Sequence, residues 1–187
     1  MVKGYNCHSR GLSASIEKPP PTELVKPNPT QRLLIHITNQ ELYLLSSGGS
    51  ILTTWPVSTS KFGLGSEEGS FCTPLGKFRI SEKIGASAPL WMIFKSRVET
   101  GVLARLSSQE DITEEDLVLT RILWLEGMEP ANANTKKRYI YIHGTNQESL
   151  IGRPASHGCI RLRNRDMVDL FDRVEVGCQV EIQQSPF

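Results

Sequence analysis

From Leu33 onward the hydrophobic pattern has a period of two. Leu33, Ile35 and Ile37 alternate with Leu34, His36 and Thr38, Asn39-Gln40 supplies a turn, and Glu41–Leu45 runs back. Ser46-Ser-Gly-Gly-Ser50 is a second turn, and residues 51–57 form a third run. Successive strand side chains point to opposite faces, so this alternation suits half-buried strands and cannot line one face of a helix. Connections this short favour hairpins over βαβ units. Lys77–Ile80 and residues 117–125 (LVLTRILWL) are also strand-like, the latter through its branched residues. The run from Arg138 to Gly144 predicts a strand in which Tyr139, Tyr141 and His143 share a face. One helix is expected, with Asn164 as N-cap, an apolar face of Met167, Leu170, Phe171 and Val174, and Gly177 as a left-handed stop. Val180 and Ile182 then alternate with Gln179, Glu181 and Gln183 in a last strand. The expected fold is mostly β with one or two short helices over residues 32–184. Five of the 11 prolines (Pro19, Pro20, Pro21, Pro27, Pro29) deny residues 1–31 backbone donors, so that stretch reads as a flexible tail.

Composition narrows the function. The chain has 187 residues, and 21 Lys+Arg against 20 Asp+Glu leave a net charge of +1. Nucleic-acid binders need a basic surplus to displace counterions, so that class is set aside. No run of about 18 apolar residues is present, so no membrane span is expected. Cys7, Cys72, Cys159 and Cys178 include no CxxC pair, and neither a disulfide scaffold nor a zinc module is indicated. Residues 58–76 form a glycine-bearing loop that fails as a phosphate loop, because Gly76-Lys77 is followed by Phe78. His36, alone in a strand, reads as structural. The segment Ser81–Asn134 is the least patterned. From its length it is expected to shape the acceptor side of a cleft or a lid. Its acidic run (Glu110, Asp111, Glu114, Glu115, Asp116) reads as a solvated face. Residues 1–15 carry Lys3 and Arg10 but no apolar stretch, so no secretory signal is visible.

Candidate chemistry collects late in the chain. A thiol attacks as thiolate, and its ordinary value near 8.5 leaves little thiolate at neutral pH. A nearby imidazole removes that obstacle by taking the proton. His143 ends a predicted strand and Cys159 lies between Gly158 and Ile160, where a loop meets an apolar segment. Gly158 lets the backbone approach a substrate closely and turn amides toward an oxyanion. Residue types alone leave two other readings open. Cys159 is an inert buried hydrophobe in one, and part of a zinc set with Cys72, His143 and His157 in the other. The order His before Cys departs from papain-like proteases.

These residues carry a resemblance. His143-Gly-Thr145 followed by Gly152-Arg-Pro-Ala-Ser-His-Gly-Cys-Ile-Arg-Leu162 resembles the signature of the L,D-transpeptidase catalytic domain, the YkuD family. Thr73-Pro-Leu-Gly-Lys-Phe-Arg-Ile80, preceded by Pro56-Val-Ser-Thr59, resembles the family's upstream motif, and Asn39–Leu42 its first hairpin. The likeness extends from about Leu33 to Ile182. It implies a β-sandwich-like catalytic fold that acts on peptidoglycan stem peptides, with no metal or organic cofactor. By that likeness Cys159 attacks the L-centre carbonyl of the third stem residue, D-Ala leaves, and an acceptor amine resolves the thioester into a 3→3 cross-link. His143 is implied as base and then acid, the Gly144 carbonyl as its orienting group, and amides near His157, Gly158 and Cys159 as the oxyanion hole; no Asp or Glu is required as a third member. Ser156 is expected to shape the loop or touch substrate, and His157 to donate to substrate or hold the loop. Arg161 is expected to hold a stem carboxylate or pair with Asp166 or Asp169, and Tyr141 to line the cleft or pack in the core. Carbapenems are implied as inhibitors and the cell envelope as location. An L,D-carboxypeptidase using water as acceptor and a non-catalytic wall-binding module are the competing functions.

Overall fold

The structure is a computed structural model and describes residues 30–107 and 115–185. The proline-rich stretch up to residue 29 lies outside the described residues, as do Glu110, Asp111 and Glu114 of the acidic run. The strands are β1 (Arg32–His36), β2 (Glu41–Leu45), β3 (Ile51–Pro56), β4 (Gly76–Ile84), β5 (Met92–Lys95), β6 (Val98–Leu103), β7 (Val118–Gly127), β8 (Tyr141–Gly144), β9 (Ile160–Leu162) and β10 (Gln179–Gln183). Among the described residues there is one α-helix, α1 (Asn164–Arg173), and there are short 3-10 turns at Pro130–Asn132 and Glu148–Leu150. The domain is therefore mostly strand.

All ten strands belong to one mixed sheet in the order β3-β2-β1-β10-β4-β7-β5-β6, with β8 pairing β7 and β9. The first three strands are the antiparallel hairpins that alternation predicted. Hairpin logic does not reach the two parallel pairs, β1 with β10 and β8 with β9. Parallel neighbours need a long crossover, and residues 145–159 supply it between β8 and β9. Beyond β3, Ser58 and Arg161 exchange backbone hydrogen bonds of 2.9 Å in both directions. The path from β3 through β10, β7, β8 and β9 thus returns to the chain that leaves β3. Alternate residues of these strands point inward: Leu33, Leu42, Phe78, Leu123, Ile142, Ile160 and Val180 join Met167, Leu170, Phe171 and Val174 of the helical segment in one core. Each such side chain withdrawn from water stabilises the fold by roughly 1.5–3 kcal/mol.

Four local expectations need correction. Asn164 is the first residue of α1 and not its cap; Arg163 is the extended N-cap residue and provides no capping side chain. The helix stops at Arg173, and Gly177 (φ +90°) instead turns the chain into β10. Tyr139, at φ +58°, lies in a turn before β8, where its N–H donates to Lys136 O at 3.1 Å, so it does not continue the Tyr141–His143 face. Ser81–Asn134, expected to shape the acceptor side of a cleft or a lid, is largely part of the sheet itself, because β7 is an interior strand bonded to β4, β5 and β8. Within that segment the β5–β6 hairpin is the projecting part, and every residue of β6 is exposed.

Candidate active site

The parallel register sets Ile142 opposite Ile160 and His143 opposite Arg161. Since side chains alternate, Ile142 and Ile160 face the core while Tyr141, His143, Cys159 and Arg161 project on the other side. There Asp116, Val118, His143, His157 and Cys159 line a cleft of about 260 Å³. His143 and Cys159, far apart in sequence, are brought together by pairing two strands and by no local motif.

The nucleophile candidate is held by main chain. The amide of Tyr141 donates to Cys159 Sγ at 3.4 Å, and the thiol donates to Tyr139 O at 3.4 Å. Cys159 keeps part of its surface open, yet burial pushes its thiol up to about 12; the Tyr141 amide and the charges of Arg161 and Arg138 only partly oppose this. The same desolvation lowers the His143 imidazole below its ordinary value, against the pull of Asp116 and Gly144 O. The resting pair is therefore a neutral thiol beside a neutral ring. A charge so far from water is disfavoured more than its partners favour it.

The imidazole's tautomer follows from its backbone bond. His143 Nδ1 lies 2.7 Å from Gly144 O. A carbonyl oxygen can only accept, so Nδ1 carries the proton and Nε2 is the basic nitrogen. Gly144 must be glycine for this geometry: a Cβ there would stand 3.0 Å from Leu119 O and 3.2 Å from Asn164 Cγ. Fully buried Asn164 accepts from Thr120 Oγ1 (2.6 Å) and donates to Thr145 O (2.8 Å) and Glu148 Oε1 (2.6 Å). An amide read as a helix cap thus packs the strand end that carries the histidine.

The loop before Cys159 is built from buried hydroxyls. Ser156 Oγ donates to Cys159 O (2.6 Å) and accepts from the Gly158 amide (3.2 Å), so it shapes the loop. Gly158 has φ +117°, and its carbonyl accepts from Thr73 Oγ1 at 3.0 Å. Thr73 and the segment 58–76 therefore act as the frame of the nucleophile loop. Because the Gly158 amide turns back onto Ser156, it is not the free oxyanion donor expected of it. His157 reaches the cleft mouth, with Nδ1 3.5 Å from Asp116 Oδ2 and its ring beside Phe62 and Phe71.

Arg161 is also placed differently from expectation. Its side chain is 0% exposed, and it donates to Asp116 Oδ1 (2.8 Å), Gln147 Oε1 (2.9 Å) and Ser58 Oγ (2.9 Å). Asp169 bonds Arg173 at 2.7 Å, and Asp166 lies 3.9 Å from Arg163. The guanidinium is enclosed behind the cleft and is not open to a stem carboxylate. Asp116 itself was hidden inside an acidic run that reads as solvated; its side chain is only 14% exposed. Burial raises its carboxyl, but Arg161 and then His143 outweigh that, leaving it below the usual range. Nothing local distinguishes Asp116 from Glu115, which is exposed. Asp116→Asn strands a buried guanidinium and is expected to cost about 3 kcal/mol of stability in denaturant unfolding; an unchanged midpoint would contradict the pairing. Among the described residues no three of His, Cys, Asp and Glu gather to hold a metal ion, and no helix is long and apolar enough to cross a membrane.

Fold and site together define a class: a strand-built domain that presents a cysteine and an imidazole in one cleft. The model of the YkuD family, the L,D-transpeptidase catalytic domain, matches residues 30–182. The chain belongs to that family. It is 27% identical over 163 residues to the probable L,D-transpeptidase YcfS of Escherichia coli, covering 84% of this chain and 45% of that protein. It spans less than half the length of the curated relatives it matches. An L,D-transpeptidase from Mycobacterium smegmatis superposes with a TM-score of 0.53 at 20% identity, covering 82% of this chain and 58% of that one. L,D-transpeptidase 3 from Mycobacterium tuberculosis, solved with a faropenem-derived adduct, gives 0.50 at 14% identity over 83% of this chain and 60% of its own. At these identities the likeness speaks for the fold.

Proposed function

We propose that this domain is a cysteine acyltransferase acting on peptidoglycan stems, an L,D-transpeptidase. The observation that carries the reading is the 2.7 Å contact from His143 Nδ1 to Gly144 O, which leaves Nε2 basic in the cleft it shares with Cys159. Because both groups rest neutral, His143 takes the thiol proton as sulfur attacks the L-centre carbonyl of the third stem residue. The tetrahedral oxyanion is received by the main-chain amide of Cys159, since that of Gly158 is already bonded to Ser156. Collapse expels D-Ala, whose amine takes the proton back from His143, and leaves a thioester on Cys159. An acceptor amine, losing its proton to the same imidazole, attacks the thioester and restores the thiol, completing a 3→3 cross-link. Ser156 and Thr73 hold the loop and Arg161 with Asp116 holds the wall behind it, so no third carboxylate is needed on the imidazole. The substrate places the activity in the cell envelope. Carbapenems, as strained acyl donors, acylate the same sulfur.

The test is product analysis with a tetrapeptide stem and a second stem as acceptor. A cross-linked dimer with released D-Ala is expected. Tripeptide alone would assign the water-resolved L,D-carboxypeptidase reaction in its place, and stem binding with neither product would assign a wall-binding module.

A further inference from the structure

Against the tyrosines that hold Cys159 stands a cation that the mechanism above does not use. Arg97 sits with Ser96 at the tip of the β5–β6 hairpin, where Lys95 pairs with Val98. Both tip residues are left-handed, Ser96 at φ +49° and Arg97 at φ +69°. Such two-residue turns favour Asn and Gly, and a long side chain in this region costs roughly 1–2 kcal/mol. The conformation aims the guanidinium back at the sheet. Arg97 Nη1 donates to Tyr141 Oη at 3.3 Å, and Arg97 Cζ lies 4.5 Å from the Trp124 ring centre and 5.2 Å from that of Tyr139. Among the described residues no carboxylate comes within 4.0 Å of it; nearby Glu82 is paired with Lys136 at 2.9 Å.

The two tyrosines that flank Arg97 are the same two whose main chains hold Cys159 Sγ. A peptide laid across the thiol therefore meets this guanidinium within one side chain's reach. Arginine has five donors in a planar fork, and the single bond to Tyr141 leaves an edge for two parallel bonds to a carboxylate. The stacked rings of Trp124 and Tyr139 stand side by side beneath the guanidinium and hold the fork in place by cation–π contact. We propose that Arg97 is a substrate-binding residue that captures a carboxylate of the stem peptide beside the thiol and sets which residue is presented to Cys159. This rests on the stem-peptide reading above and adds a specificity determinant to it.

Binding separates the two ideas. The full chain carrying Cys159→Ala is titrated calorimetrically with an unmodified tetrapeptide stem and with stems amidated at one carboxylate at a time. Adding Arg97→Gln is expected to weaken binding of the unmodified stem roughly 10- to 100-fold, the range of a charged hydrogen-bonded pair. Arg97→Lys, which keeps the charge without the fork, is expected to fall between. One amidated stem should bind the Arg97 protein about as weakly as the unmodified stem binds the Arg97→Gln variant, and should show no further loss with that variant; that stem identifies the carboxylate. Equal affinity with and without Arg97→Gln on the unmodified stem overturns the proposal, and so does a loss of the same size on every amidated stem. If the Cys159→Ala chain binds no stem at all, the stem-peptide reading falls and this inference with it.

Discussion

Cys159→Ala is expected to lower kcat/KM for cross-linking by roughly four orders of magnitude or more, the scale seen when a covalent nucleophile is removed. Nothing else described in the cleft can replace it, because the other sulfur nearby, Cys72, points its thiol at Phe62 O and Ser70 O. The fold should tolerate the change. The lost group makes two long sulfur contacts of 3.4 Å, and a single heavy atom is worth about 1 kcal/mol. A carbapenem should add its mass to the parent chain and leave the variant unchanged. The thiol's high value adds a spectroscopic check: the difference spectrum between parent and variant should show no thiolate absorbance from neutral pH to about pH 10. Retained cross-linking in the variant would remove Cys159 from the chemistry. A thiolate signal at neutral pH would replace concerted deprotonation with a stored ion pair.

His143→Gln should cost 100- to 10,000-fold in kcat, roughly the contribution of a positioned base, and should change the pH profile in a way that mere loss of packing would not. Burial is the largest influence on this ring and lowers its value beneath 6.5. The active form is the neutral imidazole, so activity is present above that lowered value and is lost as pH falls through it. The acid limb of kcat/KM is therefore expected on the acid side of an ordinary histidine. Stability follows the same sign. As pH drops below about 6.5 the unfolded chain binds a proton that the folded ring resists, so the fold weakens on acidification through that range. The glutamine variant should lack this component, which paired urea titrations across the range would reveal. An acid limb above 6.5, or a variant with the parent's pH profile, would show that His143 is not the base.

Much of the strand pattern was legible because it is written locally. Leu33, Ile35, Leu42 and Leu44 share the inward face that alternation assigns them, but Leu34, His36 and Leu45 are buried as well, so β1 is covered on both faces and is not the half-buried strand alternation predicts. Met167, Leu170, Phe171 and Val174 declare one face of a helix by spacing. Family identity was legible from the His143-Gly and Ser156–Arg161 segments. The errors share a cause. Asn164 looks like a cap because amides favour helix starts, but its partners Thr120, Thr145 and Glu148 lie on other segments. Asp116 looks solvated because its neighbours in sequence are acidic, but its decisive neighbour is Arg161, 45 residues away. Arg97 shows no motif at all, since its meaning depends on the rings of Trp124 and Tyr139 and the hydroxyl of Tyr141.

The chain by itself determined which residues are apolar on one side, where the backbone turns, and which side chains are capable of acyl transfer, because period, turn chemistry and reactivity are properties of neighbouring residues. The tertiary structure decided which of them meet. Parallel pairing of β8 with β9 brought a thiol and an imidazole into one cleft, and burial then set both to their neutral forms. Water is excluded by the whole surrounding assembly, and no local stretch of sequence encodes that.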